Sequence, residues 1–176
     1  MGAGLLQVEI KGQDDLRRVA RALRLADKDG LRRELATAIR QAARPTLDAI
    51  QASAGRISTR GYPKPGAVRR FTRPVPAKGT RAKIAAAVGS TVRVAEDNPR
   101  VSFTVRSARL PLELRNMPRK FDSGRTWRHP VMGNRNAWVG QSGQPWFWPP
   151  IRDNIKTFRG EIEQALERTR EQIEGA

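Results

Sequence analysis

The sequence predicts an α+β fold in which N-terminal helices and a long C-terminal helix pack on a small antiparallel sheet of hairpins. Near both ends, apolar residues recur every three to four positions, the period of a helix with one buried face. Between them lie stretches where apolar and polar residues alternate, the period of a half-buried strand. A long basic Pro/Gly-rich loop, 55–80, obeys neither period and separates the two regions. A chain of 176 residues suits one domain spanning 1–176, with 55–80 as an extended basic arm.

Leu6, Val8 and Ile10 alternate with Gln7 and Glu9 and stop at Gly12, which predicts a first strand. Asp14 or Asp15 then caps a helix, because a short carboxylate accepts hydrogen bonds from first-turn N–H groups and opposes the positive end of the dipole. Leu16, Val19, Ala20 and Leu23 follow at i, i+3, i+4 and i+7 as its apolar stripe. After an interruption at Asp27 to Gly30, a longer helix begins near Leu31, with Leu35, Ala38, Ile39, Ala42, Ala49 and Ile50 facing inward. Pro45 lies inside this pattern and cannot donate the backbone bond, so it should bend or split the helix.

The stretch 55–80 carries four prolines and four glycines. A structureless loop of that length is uncommon in a compact domain unless it has a function or a partner. Val92 and Val94, a turn at Asp97-Asn98-Pro99, and Val101, Phe103 and Val105 then form a hairpin. Leu110 to Phe121 reads as an irregular connector with a short helical turn. A second hairpin joins Trp127 to Val131 with Ala137 to Gln141 through Gly133-Asn134. Ile151, Ile155, Phe158, Ile162, Leu166, Thr169 and Ile173 mark a C-terminal amphipathic helix of about five to six turns. Pro149 and Pro150 sit just before it, where a missing N–H does no harm.

Composition narrows the function. With no cysteine, disulfide stapling, thiol catalysis and thiolate metal sites are excluded. The apolar runs are too short for a membrane span, and the first residues lack a secretory signal's basic start and apolar core, which predicts a cytosolic protein without membrane partners. Net charge is +17, and it is uneven: Ala49 to Ala95 holds ten Lys or Arg and no acidic residue. Such an excess attracts polyanions or acidic protein surfaces. The arm's basic residues, Arg56, Arg60, Lys64, Arg69, Arg70, Arg73, Lys78, Arg81 and Lys83, are candidates for contacting DNA phosphates or a protein partner. Tyr62 and Phe71 are the only aromatics there for stacking, so any DNA contact would be electrostatic and sequence-blind.

Large aromatics are concentrated in one place. All four tryptophans lie between Trp127 and Trp148, together with the only histidine, His129. This block makes either a local core or a surface for another subunit; Trp127, Arg128, His129, Pro130, Trp138, Trp146 and Phe147 are the candidate residues. A single imidazole rules out a multi-histidine metal site, and its place before Pro130 in an aromatic strand favours a packed, hydrogen-bonded ring over a catalytic base. Carboxylates are scattered, and no phosphate-binding glycine loop is present. The expectation is a protein that is not an enzyme and needs no metal or cofactor.

The order WRHPVMGNRNAWVGQSGQPWF, followed by proline and an amphipathic helix, resembles the neck or tail-completion proteins of long-tailed siphophages and their prophages. The match to a W-R-H-P-V-x-G block falls at Trp127, Arg128, His129, Pro130, Val131 and Gly133. Trp138, Val139 and Gln141 match a W-V-x-Q, and Pro145, Trp146 and Phe147 match a P-W-F. In the N-terminal half, an A-A-R-P-x-L-D-A segment at Ala42 to Ala49 is similar to the family as well. The basic arm is not part of the resemblance. What the resemblance implies is a structural virion protein: a homo-oligomeric, hexameric ring at the head–tail junction, assembled in the host cytoplasm and surrounding the DNA channel. Its implied partners are a head-closure (stopper) protein and tail terminator or tail-tube proteins, with nonspecific contact to genomic DNA in the channel. The competing expectation, carried by charge alone, is a sequence-nonspecific DNA-binding protein that acts electrostatically.

Overall fold

A computed structural model describes residues 7–10, 13–25, 29–58, 78–95, 99–131 and 134–175. Its elements run β1 (Gln7–Ile10), α1 (Gln13–Leu25), α2 (Asp29–Gly55), α3 (Lys78–Ala87), β2 (Val88–Arg93) and β3 (Arg100–Val105). Two 3₁₀ turns at Ser107–Arg109 and Leu112–Leu114 lead to α4 (Met117–Asp122), β4 (Thr126–Val131), β5 (Asn134–Ser142) and α5 (Trp148–Glu174). The fold is α+β, as the two sequence periods predict.

The antiparallel strands form two separate sheets. In the first, β3 is central, with β1 on one side and β2 on the other. Val101 pairs with Val92, Phe103 with Ser90 and Val105 with Val88, so the buried apolar residues of β3 share one face with Val88 and Val92 of β2. Phe103 meets Phe158 of α5 edge-to-face at 6.1 Å, which fixes that face against the helices. The second sheet is the β4–β5 hairpin, whose register slips between Pro130 and Val131.

Two 27-residue helices, α2 and α5, form the other layer. At 1.5 Å per residue each is about 40 Å long. They pack against one another, and α1 packs against both. Leu35, Ile39, Ala43, Ile50 and Ala54 of α2, with Ile151, Phe158, Ala165 and Leu166 of α5, are buried in one continuous core with the sheet.

Several expectations are corrected. Asp14 and Asp15 lie inside the first turn of α1 rather than at its cap, since the helix already starts at Gln13. Pro45 does not split α2; its ring is exposed, away from the core. The inward stripe also differs: Thr46 and Ala54 are buried, while Ala38 and Ala49 are only half-buried. Residues 78–80, expected to belong to the loop, are helical and open α3, an element the sequence reading overlooked. Its run of Ala and Lys has helical propensity but only a weak apolar stripe. Val94 lies beyond the end of β2, and the turn expected at Asp97-Asn98 is outside the described residues. Pro149 and Pro150 occupy the first turn of α5, and the helix is longer than expected, about seven and a half turns.

Candidate functional site

The aromatic block divides into an internal and an external part. Trp146 and Phe147 are 2% and 0% exposed and belong to the core. They are placed by α4: the Trp146 Nε1–H donates to the Pro118 carbonyl at 3.2 Å. Asp122 Oδ1 accepts from both the Trp146 and Phe147 backbone N–H groups, at 2.8 and 2.9 Å. Phe147 is the N-cap residue of α5 and supplies no side-chain cap. A carboxylate 25 residues upstream therefore does the capping.

The hairpin is tied to this core at its base. After α4, Gly124 takes a φ of 65°, a left-handed conformation that suits glycine and turns the chain into β4. Trp127 then packs edge-to-face on Phe121 at 5.2 Å. Just past the end of the returning strand, Gly143 lies so close to α4 that a Cβ there would fall 2.7 Å from the Lys120 and Phe121 carbonyl oxygens.

Strand register sorts the remaining residues. Trp127 pairs with Gln141 and His129 with Val139, so these four share the inner face. Gln141 is buried; its Nε2 donates to the Ser58 carbonyl at 3.1 Å, and its Oε1 is 3.0 Å from His129 Nε2. His129 Nδ1 is 3.1 Å from the Pro130 carbonyl oxygen. The imidazole is thus held as part of the hairpin's anchor to the end of α2. Trp127 Nε1 is buried with no hydrogen-bond partner among the described residues.

The outer face carries Thr126, Arg128, Pro130 and Trp138. Thr126 and Arg128 are exposed, and Trp138 is 45% exposed. Among the described residues each strand of the hairpin has one neighbour, the other strand. An aromatic ring beside a guanidinium on a two-edged ribbon is the composition of an interface hot spot. The seven aromatic-block candidates accordingly part company: Trp146 and Phe147 are internal, Trp127 and His129 anchor the hairpin, and Arg128, Pro130 and Trp138 face outward.

The basic arm is only partly described. Arg56 is exposed in the turn after α2. Arg60, Lys64, Arg69, Arg70 and Arg73 lie outside the described residues. Lys78, Arg81 and Lys83 belong to α3 and so to a regular helix rather than an irregular arm.

A second basic feature escaped the sequence reading. Arg17, Arg18, Arg21 and Arg24 of α1 line a groove of about 700 Å³, together with Arg32 of α2, Val94 and Ala95. It adjoins a groove of about 620 Å³ along α2, where Arg33 and Arg40 join Arg93 of β2. Arg32, Val94 and Ala95 line both, so the two are continuous. The signal was present in the spacing of 17, 18, 21 and 24, which places four guanidiniums along one side of a helix. It was hidden because acidic residues are interspersed there, whereas 49–95 has none.

Among the described residues no group of three or more His, Asp or Glu is arranged to hold a metal ion, and no helix is long and apolar enough to cross a membrane. No protein family, curated protein or solved structure matches the chain. Fold and surface together define an α+β domain with an outward aromatic hairpin and an arginine-lined groove.

Proposed function

We propose that the chain is a structural subunit of the neck of a long-tailed bacteriophage, a tail-completion ring protein that joins the head connector to the tail around the DNA channel. The β4–β5 hairpin carries this reading. A two-stranded ribbon is marginal in water by itself, and this one turns Trp138 and Arg128 outward. A cyclic oligomer covers such a ribbon with a different patch of its neighbour, because ring contacts are heterologous. The residues behind the resemblance, Trp127 to Val131 and Trp138 to Gln141, lie on this ribbon. Pro145 to Phe147 form the joint on which it stands.

Native mass spectrometry of the intact chain tests the reading, together with quantitative composition of purified particles. A closed homo-oligomer, six copies by expectation, should appear, with the protein in a fixed ratio to the portal. A monomer at tens of micromolar that is also missing from mature particles would overturn it.

A further inference from the structure

We propose that the groove between α1, α2 and the end of β2 binds the phosphate backbone of duplex DNA, without reading sequence. The inference holds whether or not the chain forms a ring, because it rests on a different surface from the hairpin.

Three observations carry it. First, the two continuous grooves contain eight arginines and no lysine, and no carboxylate lines either among the described residues. A guanidinium presents a planar fork of donors that grips a phosphate in bidentate fashion, which an ammonium cannot do. Second, the geometry is linear. Arg17 to Arg24 extend about 10 Å along α1, and Arg32 to Arg40 about 12 Å along α2, at 1.5 Å per residue. A duplex carries one charge per roughly 1.7 Å of its axis, so either row spans several phosphates. Third, the floor is made of Ala20, Ala36, Val92, Val94 and Ala95. Among the described residues no aromatic ring lines either groove for base stacking, which disfavours single strands. Nor, among the described residues, does the floor of small side chains form a deep apolar pocket to seat a peptide's anchors, which disfavours an acidic protein segment.

The rim also contains carboxylates. Asp14 lies 3.9 Å from Arg17, Asp29 lies 3.8 Å from Arg32, and Asp15 pairs with Arg18 and, at 3.1 Å, with Arg170 of α5. These groups are exposed, and pairs of that kind contribute little and are screened by salt. They hold Arg17, Arg18 and Arg32 in place, and exposed pairs of this kind yield to a phosphate lattice.

The test measures binding of the full-length chain to a fluorescent 30-base-pair duplex by anisotropy between 50 and 200 mM salt, using three variants that each remove four positive charges. The groove variant is Arg21→Gln, Arg24→Gln, Arg33→Gln and Arg40→Gln. The arm variant is Arg60→Gln, Lys64→Gln, Arg69→Gln and Arg70→Gln. The third changes Arg152, Lys156, Arg159 and Arg168 to Gln on the exposed side of α5. Each lost phosphate contact lowers the slope of log K against log salt by about 0.9. The groove variant should therefore lose roughly 3 to 4 from that slope and at least tenfold in affinity at 100 mM salt. The α5 variant should stay within about threefold of wild type, and circular dichroism should show all three folded. Equal losses in the groove and α5 variants would mean that net charge alone acts, and would overturn the proposal. So would a groove variant that binds DNA normally but loses affinity for polyglutamate.

Discussion

Asp122→Ala should weaken the fold well beyond what its half-buried position suggests. The carboxylate accepts two backbone N–H groups at the start of α5, at 2.8 and 2.9 Å. The helix's own N-cap, Phe147, supplies no side-chain acceptor. Losing a helix cap costs about 0.5–2 kcal/mol, and hydrogen bonds to a charged group contribute about 1.5–3 kcal/mol each. The two figures overlap, since capping is itself hydrogen bonding, and partial exposure lets water replace some of the loss. The expected cost is therefore about 2–3 kcal/mol. For a chain of this size, each kcal/mol moves the midpoint by about 2–4 °C, which predicts a Tm lower by roughly 4–12 °C. Asp122→Asn keeps an acceptor without the charge and should lose about half as much. Thermal and urea unfolding followed by circular dichroism measure both variants. If Asp122→Ala lies within about 0.5 kcal/mol of wild type, or Asn is as damaging as Ala, the capping argument is wrong.

Other substitutions probe different parts of the same joint. Gly143→Ala pushes a methyl to 2.7 Å from two carbonyl oxygens, and overpacking of this kind costs about 1–3 kcal/mol; an unchanged urea midpoint would show that α4 can move aside. Trp146→Ala removes a ring that is 2% exposed and should cost about 3–5 kcal/mol, leaving little folded protein at 37 °C. Trp138→Ala, at 45% exposure, should change stability by less than about 1 kcal/mol while lowering oligomer yield in native mass spectra. Wild-type oligomer from that variant would remove the hairpin from the assembly surface. Gln141→Leu leaves the Ser58 carbonyl and His129 without their partner and should cost about 1–3 kcal/mol, read as earlier loss of hydrogen-exchange protection across β4 and β5.

Periodicity carried much of the fold. Leu16, Val19, Ala20 and Leu23 are buried as their spacing implies, and Phe103 and Val105 alternate inward as strand residues should. What could not be read were relations between distant residues. Nothing local marks Asp122 as the cap of a helix that starts at Trp148, because the two meet only once α4 has packed. Trp127, Trp138 and Trp146 look alike as a cluster in sequence. The pleat puts the first two on opposite faces of the hairpin, and the bonds to Asp122 and Pro118 draw the third into the core. Pro45 misled for a related reason. A proline's cost of about 3 kcal/mol in a helix interior is outweighed when the surrounding turns bury Ala42, Ala43, Thr46 and Ile50. The arginine groove required α1 and α2 to lie side by side, which no one-dimensional reading supplies.

The first strand has a consequence for how the chain is made and handled. Gln7 pairs with Thr104, so an emerging N-terminus must wait for almost a hundred further residues to leave the ribosome before its ladder can close, and non-local closure is slow. Until then β1 has no partner strand, and an unpaired strand of this kind is one to which a strand from another copy can add. Removing Gln7–Ile10 would leave that side of β3 unpaired permanently. Carboxy-terminal tags, beyond the last turn of α5, leave it untouched.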